Sequence, residues 1–292
     1  MKTLVTGATG NTCSILIPEL LNAGHEVRAF VRNEKKATHL LKAGAEIHVG
    51  NLDDPETIDE ALRGIDQVYF CIWNGPTASS QGRNVIDAIK RTGTTPIVVR
   101  HSAFGDKRSR IIQQIDEVDE ALKNSGLPWI FLRPTFFMQN LLMARQTILS
   151  GGKIYWDWNG GKVAMIDVRD IADSAVGALS GKAKVGQEYI LLGPEPVSMH
   201  EVARSFSKVL GKQIDYIPVT HEAAKEAMMA MGFPEFIVDG YMELNVGFAN
   251  GIADTTNENV EMLSGHPARS VNDFIRDFKG FFVELETDKI NT

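Results

Sequence analysis

The chain has little of what usually holds a metal ion or a disulfide. Only two of its 292 residues are cysteines, Cys13 and Cys71, and neither has a second cysteine at metal-site spacing. The seven histidines form no H-E-x-x-H pair. Zinc sites need such clusters, so we expect no metal site. Both cysteines fall in apolar segments, and so few thiols at such positions indicate a reducing compartment.

Long apolar runs and an excess of positive charge are also missing. No stretch reaches the length of a membrane-spanning helix, and no signal-peptide pattern is present. The formal net charge is −7, which disfavours nucleic acid and acidic membranes because those partners need clustered lysine and arginine. We expect a cytoplasmic protein that acts on a small molecule, binds neither nucleic acid nor membrane, and is a monomer or homodimer.

Up to about residue 135 the chain shows a regular alternation instead. Short β-branched runs alternate with amphipathic stretches of helical length, the pattern of a parallel sheet with helices on both faces. Right-handed crossovers favour an α/β, doubly wound (Rossmann-like) sheet with a topological switch beside the first strand, and ligands of such sheets lie at the carboxyl ends of the strands. The predicted strands are residues 2–6, 26–31, 46–49, 67–71, 97–100 and 129–132, and the predicted helices begin near Gly10, Glu34, Pro55, Ser80 and Ser109.

The stretch GATGNTC, residues 7–13, joins the first predicted strand to the first helix. Gly7 and Gly10 permit a sharp turn and a close approach of the backbone to a phosphate, and the helix that follows offers its free N–H groups. Cys13 stands where a G-x-x-G-x-x-G pattern has its third glycine. Because a thiol is small, we expect a working dinucleotide loop with a slightly shifted helix; the alternative is a plain strand-to-helix turn.

Arg32 comes directly after the second predicted strand, where an NAD-selective site usually places an acidic residue against the ribose hydroxyls. An arginine suits a 2′-phosphate, and charge-assisted hydrogen bonds of roughly 1.5 to 3 kcal/mol would favour NADPH over NADH about tenfold or more. Lys36, one turn further on, would add to this preference. We expect NADP(H) rather than NAD(H), the alternative being that both cations are solvated surface charges.

The second half of the chain is less regular. GGKIYWDWNGGK, from residue 151, places two tryptophans among glycines. We predict a dinucleotide-binding domain over residues 1–152, with a strand near 187–192 returning to it, and a smaller, mostly helical substrate-binding or lid region over residues 153–292. Helices are predicted at residues 167–179, 198–210, 221–231, 235–248 and 271–282.

At this point the residues resemble those of the NmrA-like branch of the atypical short-chain dehydrogenase/reductases. The similarity runs through residue 212 and is less specific after residue 215. The matching stretches are TGATGNT, AFVRN, GNLDD, HSAFG, SGLPWIFLRPTFFMQNL, DVRDIADSA and YILLGPEPVSMHEVARSFSKVLGK.

The resemblance implies a set of cofactor contacts. Asn51 stands where the family pattern commonly has Asp, so its adenine contact departs from that pattern. The phosphates would be bound by Gly7, Thr9, Gly10, Asn11, Thr12 and Arg32, the adenine would lie by Asn51 and Leu52, the nicotinamide ribose by Ser102 and Ala103, and the nicotinamide along Pro134, Thr135, Phe136 and Phe137.

Ordinary short-chain dehydrogenases use a Tyr-x-x-x-Lys pair to pass a proton to the substrate carbonyl, and no tyrosine of this chain has a lysine four residues later. By position relative to SGLP, Ile115 and Asp119 would occupy the two places. The lack of a positioned acid forfeits a factor of roughly 10² to 10⁴ in rate. Acceptors that are already electron-poor, such as quinones, iminium ions and cationic dyes, suffer less from this loss.

The leading hypothesis is therefore an NADPH-dependent oxidoreductase that reduces an electron-poor conjugated or cationic small molecule by hydride transfer. His101 could replace the missing acid, or be a structural group that ends a buried strand. A flat substrate could stack on aromatic residues, which could equally be core residues. The candidates for this pocket are Trp73, Tyr155, Trp156 and Trp158.

Two other functions stay open. The first is a non-catalytic regulatory protein that senses NADP and binds a protein partner, a role that also occurs in the family that this chain resembles. The second is a dinucleotide-assisted isomerase or lyase. Turnover separates them, because a sensor binds NADPH without consuming it and an isomerase acts without net cofactor oxidation.

Overall fold

The computed structural model of the chain describes residues 1–283. It contains short strands in three sheets and helices between them. The strands are β1 Lys2–Val5, β2 Glu26–Val31, β3 Glu46–Val49, β4 Gln67–Phe70, β5 Ile97–His101, β6 Trp129–Pro134, β7 Lys153–Trp156, β8 Lys162–Val163, β9 Gln187–Leu191, β10 Val197–Ser198 and β11 Asp215–Pro218.

The helices follow the same order along the chain. Three further segments form 3-10 helices: Glu34–Ala37, Met138–Ala144 and Lys279–Phe282. The α-helices are α1 Cys13–Asn22, α2 Thr38–Ala43, α3 Pro55–Ala61, α4 Ala78–Arg91, α5 Arg110–Lys123, α6 Arg145–Gly151, α7 Val168–Leu179, α8 Met199–Leu210, α9 His221–Ala230, α10 Glu235–Ala249, α11 Asn259–Ser264 and α12 Val271–Asp277.

The chain divides into two compact units, each made of three segments. Unit 1 comprises Met1–Pro134, Val168–Leu191 and Glu258–Pro267. Unit 2 comprises Thr135–Asp167, Leu192–Asn257 and Ala268–Thr292, whose last nine residues lie outside the described part. The functional division predicted at residue 152 stays a prediction. No helix within residues 1–283 combines the length and the apolar character needed to cross a bilayer.

Unit 1 is built on one seven-stranded parallel sheet in the order β3-β2-β1-β4-β5-β6-β9. The doubly wound α/β fold is thus confirmed, and the order reverses between β1 and β4, where the switch was predicted. The strand expected near residues 187–192 is β9, which pairs with β6. Leu4, Val68, Val98 and Phe131 from successive strands lie fully buried in one core cluster with apolar residues of α3, α4 and α5.

Helix ends in unit 1 follow from local chemistry. Asp54 caps α3 by accepting a hydrogen bond from the Glu56 N–H, and Pro55 occupies the first helical position. Close packing explains a glycine in α7, because a Cβ on Gly177 would lie 2.0 Å from the carbonyl oxygen of Leu263 in α11.

Unit 2 has a different construction. Its strands form two-stranded pairs, β7 parallel to β11 and β8 antiparallel to β10. Ser198 and Glu201 form a capping box at the start of α8, and Ser270 and Asp273 form another at the start of α12.

Several predicted elements differ from those observed. The helix expected near Glu34 is a 3-10 turn followed by the short α2, and the helix expected over residues 271–282 ends at Asp277 before a second 3-10 turn that contains Gly280. The pairs β7–β11 and β8–β10, and helices α6 and α11, were not predicted. These elements are short, and the paired strands meet partners that are distant in sequence, so local periodicity gave no signal.

Candidate functional site

The glycine loop turns sharply at the carboxyl end of β1. Gly7 has a φ of +62°, and a Cβ at this position would lie 3.0 Å from the carbonyl oxygen of Cys71. The N–H of Gly10 donates to the carbonyl oxygen of Gly7 at 2.9 Å, and α1 begins three residues later. No side chain caps α1, and its first turn holds no acidic residue. The N-terminal N–H groups of α1 are therefore suited to an anionic ligand.

Cys13 occupies the third position of the glycine pattern without breaking the helix. Its side chain is buried, and its Sγ lies 3.6 Å from the carbonyl oxygen of Thr6 at the end of β1. Helix α1 runs on through Pro18 to Asn22. A small thiol thus fills the contact between helix and strand that a third glycine would leave bare.

The strands beside β1 bring the next predicted residues to the same edge of the sheet. Arg32 follows β2 directly, Lys36 lies in the 3-10 turn after it, and both side chains are exposed. Within residues 1–283, neither cation has a carboxylate at ion-pair distance. Asn51 follows β3, and its side chain accepts from the N–H of Asp53 at 3.2 Å. The carbonyl of its neighbour Leu52 accepts from Asn84 at 2.8 Å.

Ser102 lies just after β5 and belongs to a buried charged network. Its hydroxyl donates to Asp119 Oδ2 at 2.5 Å, and Arg133 Nη2 donates to the same oxygen at 2.9 Å. Arg100 Nε lies 3.3 Å from Asp119 Oδ1. Burial raises the pKa of the Asp119 carboxyl, against the opposing effect of Arg100 and of the Ser102 hydroxyl. Ala103 is tied to the same network, since its carbonyl faces Arg133 Nη1 at 3.5 Å.

His101 ends β5 and meets the buried Tyr69 of β4. The Tyr69 hydroxyl lies 2.7 Å from His101 Nδ1. Burial holds the pKa of this phenol well above its usual range, and among residues 1–283 the phenol has no other acceptor, so it donates to Nδ1. Burial, together with the charge of Arg100, lowers the pKa of His101 to about 3. At neutral pH the ring is therefore uncharged, with its proton on Nε2.

The segment predicted to follow the nicotinamide begins at the end of β6. Pro134 is the last residue of that strand, and its carbonyl accepts from Phe104 N–H at 2.9 Å. In unit 2, the Thr135 hydroxyl is buried and finds no hydrogen-bond partner among the described residues. Phe136 is buried, whereas Phe137 is half-buried and bridges to Ile166. An orphaned buried hydroxyl such as that of Thr135 is the kind of group that a polar ligand satisfies.

Three of the four candidate pocket residues, Tyr155, Trp156 and Trp158, lie in unit 2. In unit 2, Trp156 and Trp158 meet edge to face with ring centroids 5.7 Å apart, and Phe136 packs against both. Trp158 is fully buried and donates its indole N–H to Asn245 at 3.1 Å, which favours the alternative of a core residue. Tyr155 is exposed on β7.

Trp73 belongs to the other unit, in the loop after β4. Its side chain is 67% exposed, and a Cβ on Gly75 would come within 3.0 Å of its ring. Trp73 therefore stays a separate candidate for stacking. The indole N–H of Trp156, by contrast, is buried and has no partner among residues 1–283.

A dyad in unit 2 was missed by the sequence analysis. The buried Asp157 carboxylate contacts His221 Nδ1 at 2.6 Å with one oxygen, and accepts from Asn245 Nδ2 at 2.7 Å with the other. His221 begins α9 and is partly exposed. A carboxylate that holds Nδ1–H fixes the ring and leaves Nε2 to exchange protons. These residues lie 64 and 88 positions apart along the chain, so no local pattern could have found them.

One group of side chains in unit 1 has the composition of a metal site. Ligand atoms of Asp170, Asp173 and His266 lie within 4.8 Å of one another. His266 Nε2 contacts Asp173 at 3.0 Å, and its Nδ1 contacts the carbonyl of Pro267 at 2.9 Å. Both ring nitrogens are thus engaged within the protein. The absence of a metal site stays a prediction.

A dinucleotide fits the residues at the carboxyl edge of the sheet. A Cβ at Gly7 or Gly10 would crowd Cys71 or the Gly7 carbonyl, so the tight turn needs glycine, and the start of α1 offers N–H groups. Arg32 supplies an exposed cation at the end of the neighbouring strand.

Comparisons with known proteins agree with this geometry. The chain is 35% identical to an NAD(P)H azoreductase of Xenophilus azovorans over 279 residues, covering 94% of this chain and 96% of that protein. It is 32% identical to a (4-alkanoyl-5-oxo-2,5-dihydrofuran-3-yl)methyl phosphate reductase of Streptomyces griseus, covering 93% and 95% of the two chains.

A solved structure shares the fold. The NADPH-dependent quinone oxidoreductase of Escherichia coli, crystallised with NADPH, matches with a TM-score of 0.87 at 24% identity over 95% of this chain and 99% of that one. The model of the NmrA-like family matches residues 1–267. This match spans most of the chain and confirms the resemblance seen in the motifs. The chain belongs to the NmrA-like family.

Proposed function

We propose that this protein is an NADPH-dependent reductase that delivers hydride to electron-poor conjugated or cationic small molecules. Quinones and iminium ions are examples of this class. The relative that is 35% identical is named an NAD(P)H azoreductase, and an azo bond is likewise an electron-poor acceptor. Nothing in the structure favours the non-catalytic sensor.

The observation that carries this proposal is that buried residues without a phenol or an amine occupy the two positions of α5 where a Tyr-x-x-x-Lys pair would stand. Ile115 is buried among the apolar residues of α5. Asp119 is fully buried between Arg100 and Arg133. Neither residue can pass a proton to an alkoxide as a tyrosine does, so substrates that need little protonation in the transition state are favoured.

The cofactor residues proposed are those at the carboxyl edge of the sheet. Bound NADPH supplies the hydride. Gly7, Gly10 and the start of α1 receive the phosphates, while Arg32 and Lys36 receive the 2′-phosphate. The remaining proposed contacts are Thr9, Asn11 and Thr12 for the phosphates, Asn51 and Leu52 for the adenine, Ser102 and Ala103 for the ribose, and Pro134, Thr135, Phe136 and Phe137 for the nicotinamide.

Ser102 has a defined donor direction in this arrangement. Because its hydroxyl proton is directed to Asp119, its oxygen is left as an acceptor for a ribose hydroxyl. Arg133 and Arg100 hold the carboxylate in place, so the charged network positions Ser102 and does not itself react.

The substrate is proposed to stack on aromatic residues of unit 2, and Trp73 of unit 1 is proposed separately as a stacking residue. Trp156 has an indole N–H without a partner, which can donate to a substrate oxygen or nitrogen. Trp158 supports Trp156 from the core. Tyr155 is exposed and offers a flat edge to a ligand.

Two histidines are proposed to have separate roles, one as a hydrogen-bond donor and one in proton exchange. His101 is neutral, so it acts by donating a hydrogen bond from Nε2 and not as an imidazolium acid. His221, held at Nδ1 by Asp157, is the group that exchanges a proton with solvent after hydride transfer.

The proposal also includes the cellular location and the oligomeric state. We propose a cytoplasmic protein, a monomer or homodimer, that binds no nucleic acid. Light scattering of the purified protein decides the oligomeric state, and a nucleic-acid titration at low salt tests the last point.

The experiment that tests the function is an acceptor screen with NADPH. Purified protein is incubated with a quinone, a cationic triaryl dye, an azo dye and an unactivated ketone, and loss of reduced-nicotinamide absorbance is followed. We expect turnover of at least one electron-poor acceptor and none of the ketone. Stoichiometric NADPH binding without consumption for every acceptor would support the sensor instead, and product formation without net NADPH oxidation would indicate an isomerase or lyase.

A further inference from the structure

The only two cysteines of the chain lie together beneath the glycine loop. Cys13 Sγ is 3.6 Å from the carbonyl oxygen of Thr6. The Thr6 hydroxyl donates to the carbonyl of Cys71 at 2.6 Å and accepts from the Cys71 N–H at 2.9 Å. A Cβ on Gly7 would lie 3.3 Å from Cys71 Sγ. Residues 6 and 7 thus bring the two thiols, which are 58 positions apart in sequence, into one small volume.

The two thiols are in unequal environments. The hydrogen bond with Cys71, together with burial, raises the pKa of Cys13 well above its usual range. The hydrogen bond from Cys13, with help from the charge of Arg100, lowers the pKa of Cys71 despite burial. Cys13 is 1% exposed, whereas Cys71 is only half-buried. Cys71 is therefore the less buried, more nucleophilic member of the pair, and Cys13 holds the proton.

We propose that Cys71 and Cys13 form a peroxide-oxidisable pair whose disulfide weakens dinucleotide binding at the adjacent glycine loop. The Cys71 thiolate attacks a peroxide oxygen, the O–O bond breaks, and Cys71 becomes a sulfenic acid while the leaving oxygen departs as water after protonation. The Cys13 sulfur then attacks the Cys71 sulfur, the S–O bond breaks, and the thiol proton leaves with the hydroxide as a second water. Two thiols and one peroxide thus give one disulfide and two waters.

The expected effect on dinucleotide binding follows from how closely the glycine loop and the start of α1 lie to the two cysteines. The loop lies directly against Cys71, since a Cβ added at Gly7 would come 3.0 Å from the Cys71 carbonyl oxygen. Cys13 is the first residue of α1. Joining the two sulfurs replaces a non-bonded contact by a bond of about 2.0 Å. Gly7 or the start of α1 must therefore shift, and both are proposed to receive the dinucleotide phosphates.

The proposal rests on the proposed function only in naming NADPH as the ligand. The test uses the full chain, first reduced and freed of reductant, then treated with hydrogen peroxide in the absence or presence of NADPH. Intact mass is measured, and NADPH affinity is measured by calorimetry. We expect a loss of two hydrogen atoms from the monomer mass, an NADPH affinity lower by about tenfold or more, restoration by dithiothreitol, and slower oxidation when NADPH is bound.

Two variants test which sulfur is oxidised first and which one forms the disulfide with it. In Cys13→Ser, the resolving thiol is absent, so peroxide should add an oxygen at Cys71 without the loss of two hydrogens. In Cys71→Ser, the buried Cys13 should be left unmodified at the same peroxide dose. A disulfide between two chains in either variant or in the wild type, seen as a doubled mass, would overturn the proposal.

Failure of this inference can be told from failure of the proposed function. If reduced protein binds NADPH and peroxide forms the intramolecular disulfide without changing that affinity, the inference is wrong and the function stands. If the mass of the wild type does not change under peroxide, the inference is likewise wrong. If reduced protein binds no NADPH, the proposed function fails, whereas the mass measurement still decides whether the pair is oxidisable.

Discussion

The two units of the molecule differ in what holds their candidate site residues in place. Unit 1 carries a parallel sheet whose strand ends present Gly7, Arg32 and Ser102 at one edge. The described residues of unit 2, which end at residue 283, form only two-stranded pairs, and their organisation depends on an aromatic cluster and on the contacts of Asp157. A repeated topology fixes the first set of positions. The second set is fixed by individual long-range contacts, which are more sensitive to substitution.

The comparison predicts the largest effect for a buried residue of unit 2. Trp158→Ala removes the ring that contacts Phe136, Trp156 and Phe248, so we expect a loss of roughly 3 to 5 kcal/mol in the free energy of unfolding. Tyr155→Ala, on the same segment but exposed, is the control and should cost below about 1 kcal/mol. Denaturant unfolding measures both. Equal losses would show that the cluster does not organise this unit.

In unit 1 the sharpest test concerns cofactor choice. Arg32→Gln removes the cation proposed for the 2′-phosphate, and the loss of charge-assisted hydrogen bonds should weaken NADPH binding by roughly 1.5 to 3 kcal/mol while leaving NADH binding unchanged. Lys42→Gln, an exposed charge on α2, controls for net charge. Calorimetric titration with each dinucleotide is the measurement. A parallel loss for NADH would remove Arg32 from 2′-phosphate recognition.

The sequence predicted most of the framework of unit 1 but not the long-range contacts of either unit. Strands β2 and β3 were predicted to the residue because short β-branched runs mark them, and α3 begins at Pro55, near which its start was predicted. Glycine spacing located the loop. The Ser102–Asp119 contact was missed, although a carboxylate beside the apolar positions of α5 was a signal for a buried ion pair. Nothing local connects Asp157 to His221, because their contact exists only after the chain folds.

The neutral His101 gives a prediction about pH. Its pKa is about 3 in the folded protein against about 6.5 when unfolded. Between these values the unfolded state binds the proton and the folded state does not, so acidification destabilises the fold from pH 6.5 downward. At pH 5 the cost attributable to His101 is about 1 to 2 kcal/mol. His101→Gln should flatten the stability profile over this window, with His39→Gln, at an exposed position of α2, as the matched histidine replacement.

The smallest effect is expected at the dyad of unit 2. His221→Asn should lower kcat by about tenfold with little change in KM, because an oriented proton-exchanging group is lost and stacking is kept. Asp157→Asn should reproduce the fall in kcat, since the carboxylate fixes the ring. Steady-state kinetics with an active acceptor provides both values. A change in KM alone would assign the dyad to substrate binding or structure.

The proposed function depends on one step, in which NADPH bound to this chain gives its hydride to an electron-poor acceptor. The most direct measurement is a single turnover with NADPH deuterated at the transferring carbon, mixed in one equivalent with the protein and a quinone or other acceptor active in the screen. We expect a loss of reduced-nicotinamide absorbance equal to the bound NADPH, slower for the deuterated cofactor, with stoichiometric reduced product. Bound NADPH that keeps its absorbance with every acceptor would contradict it.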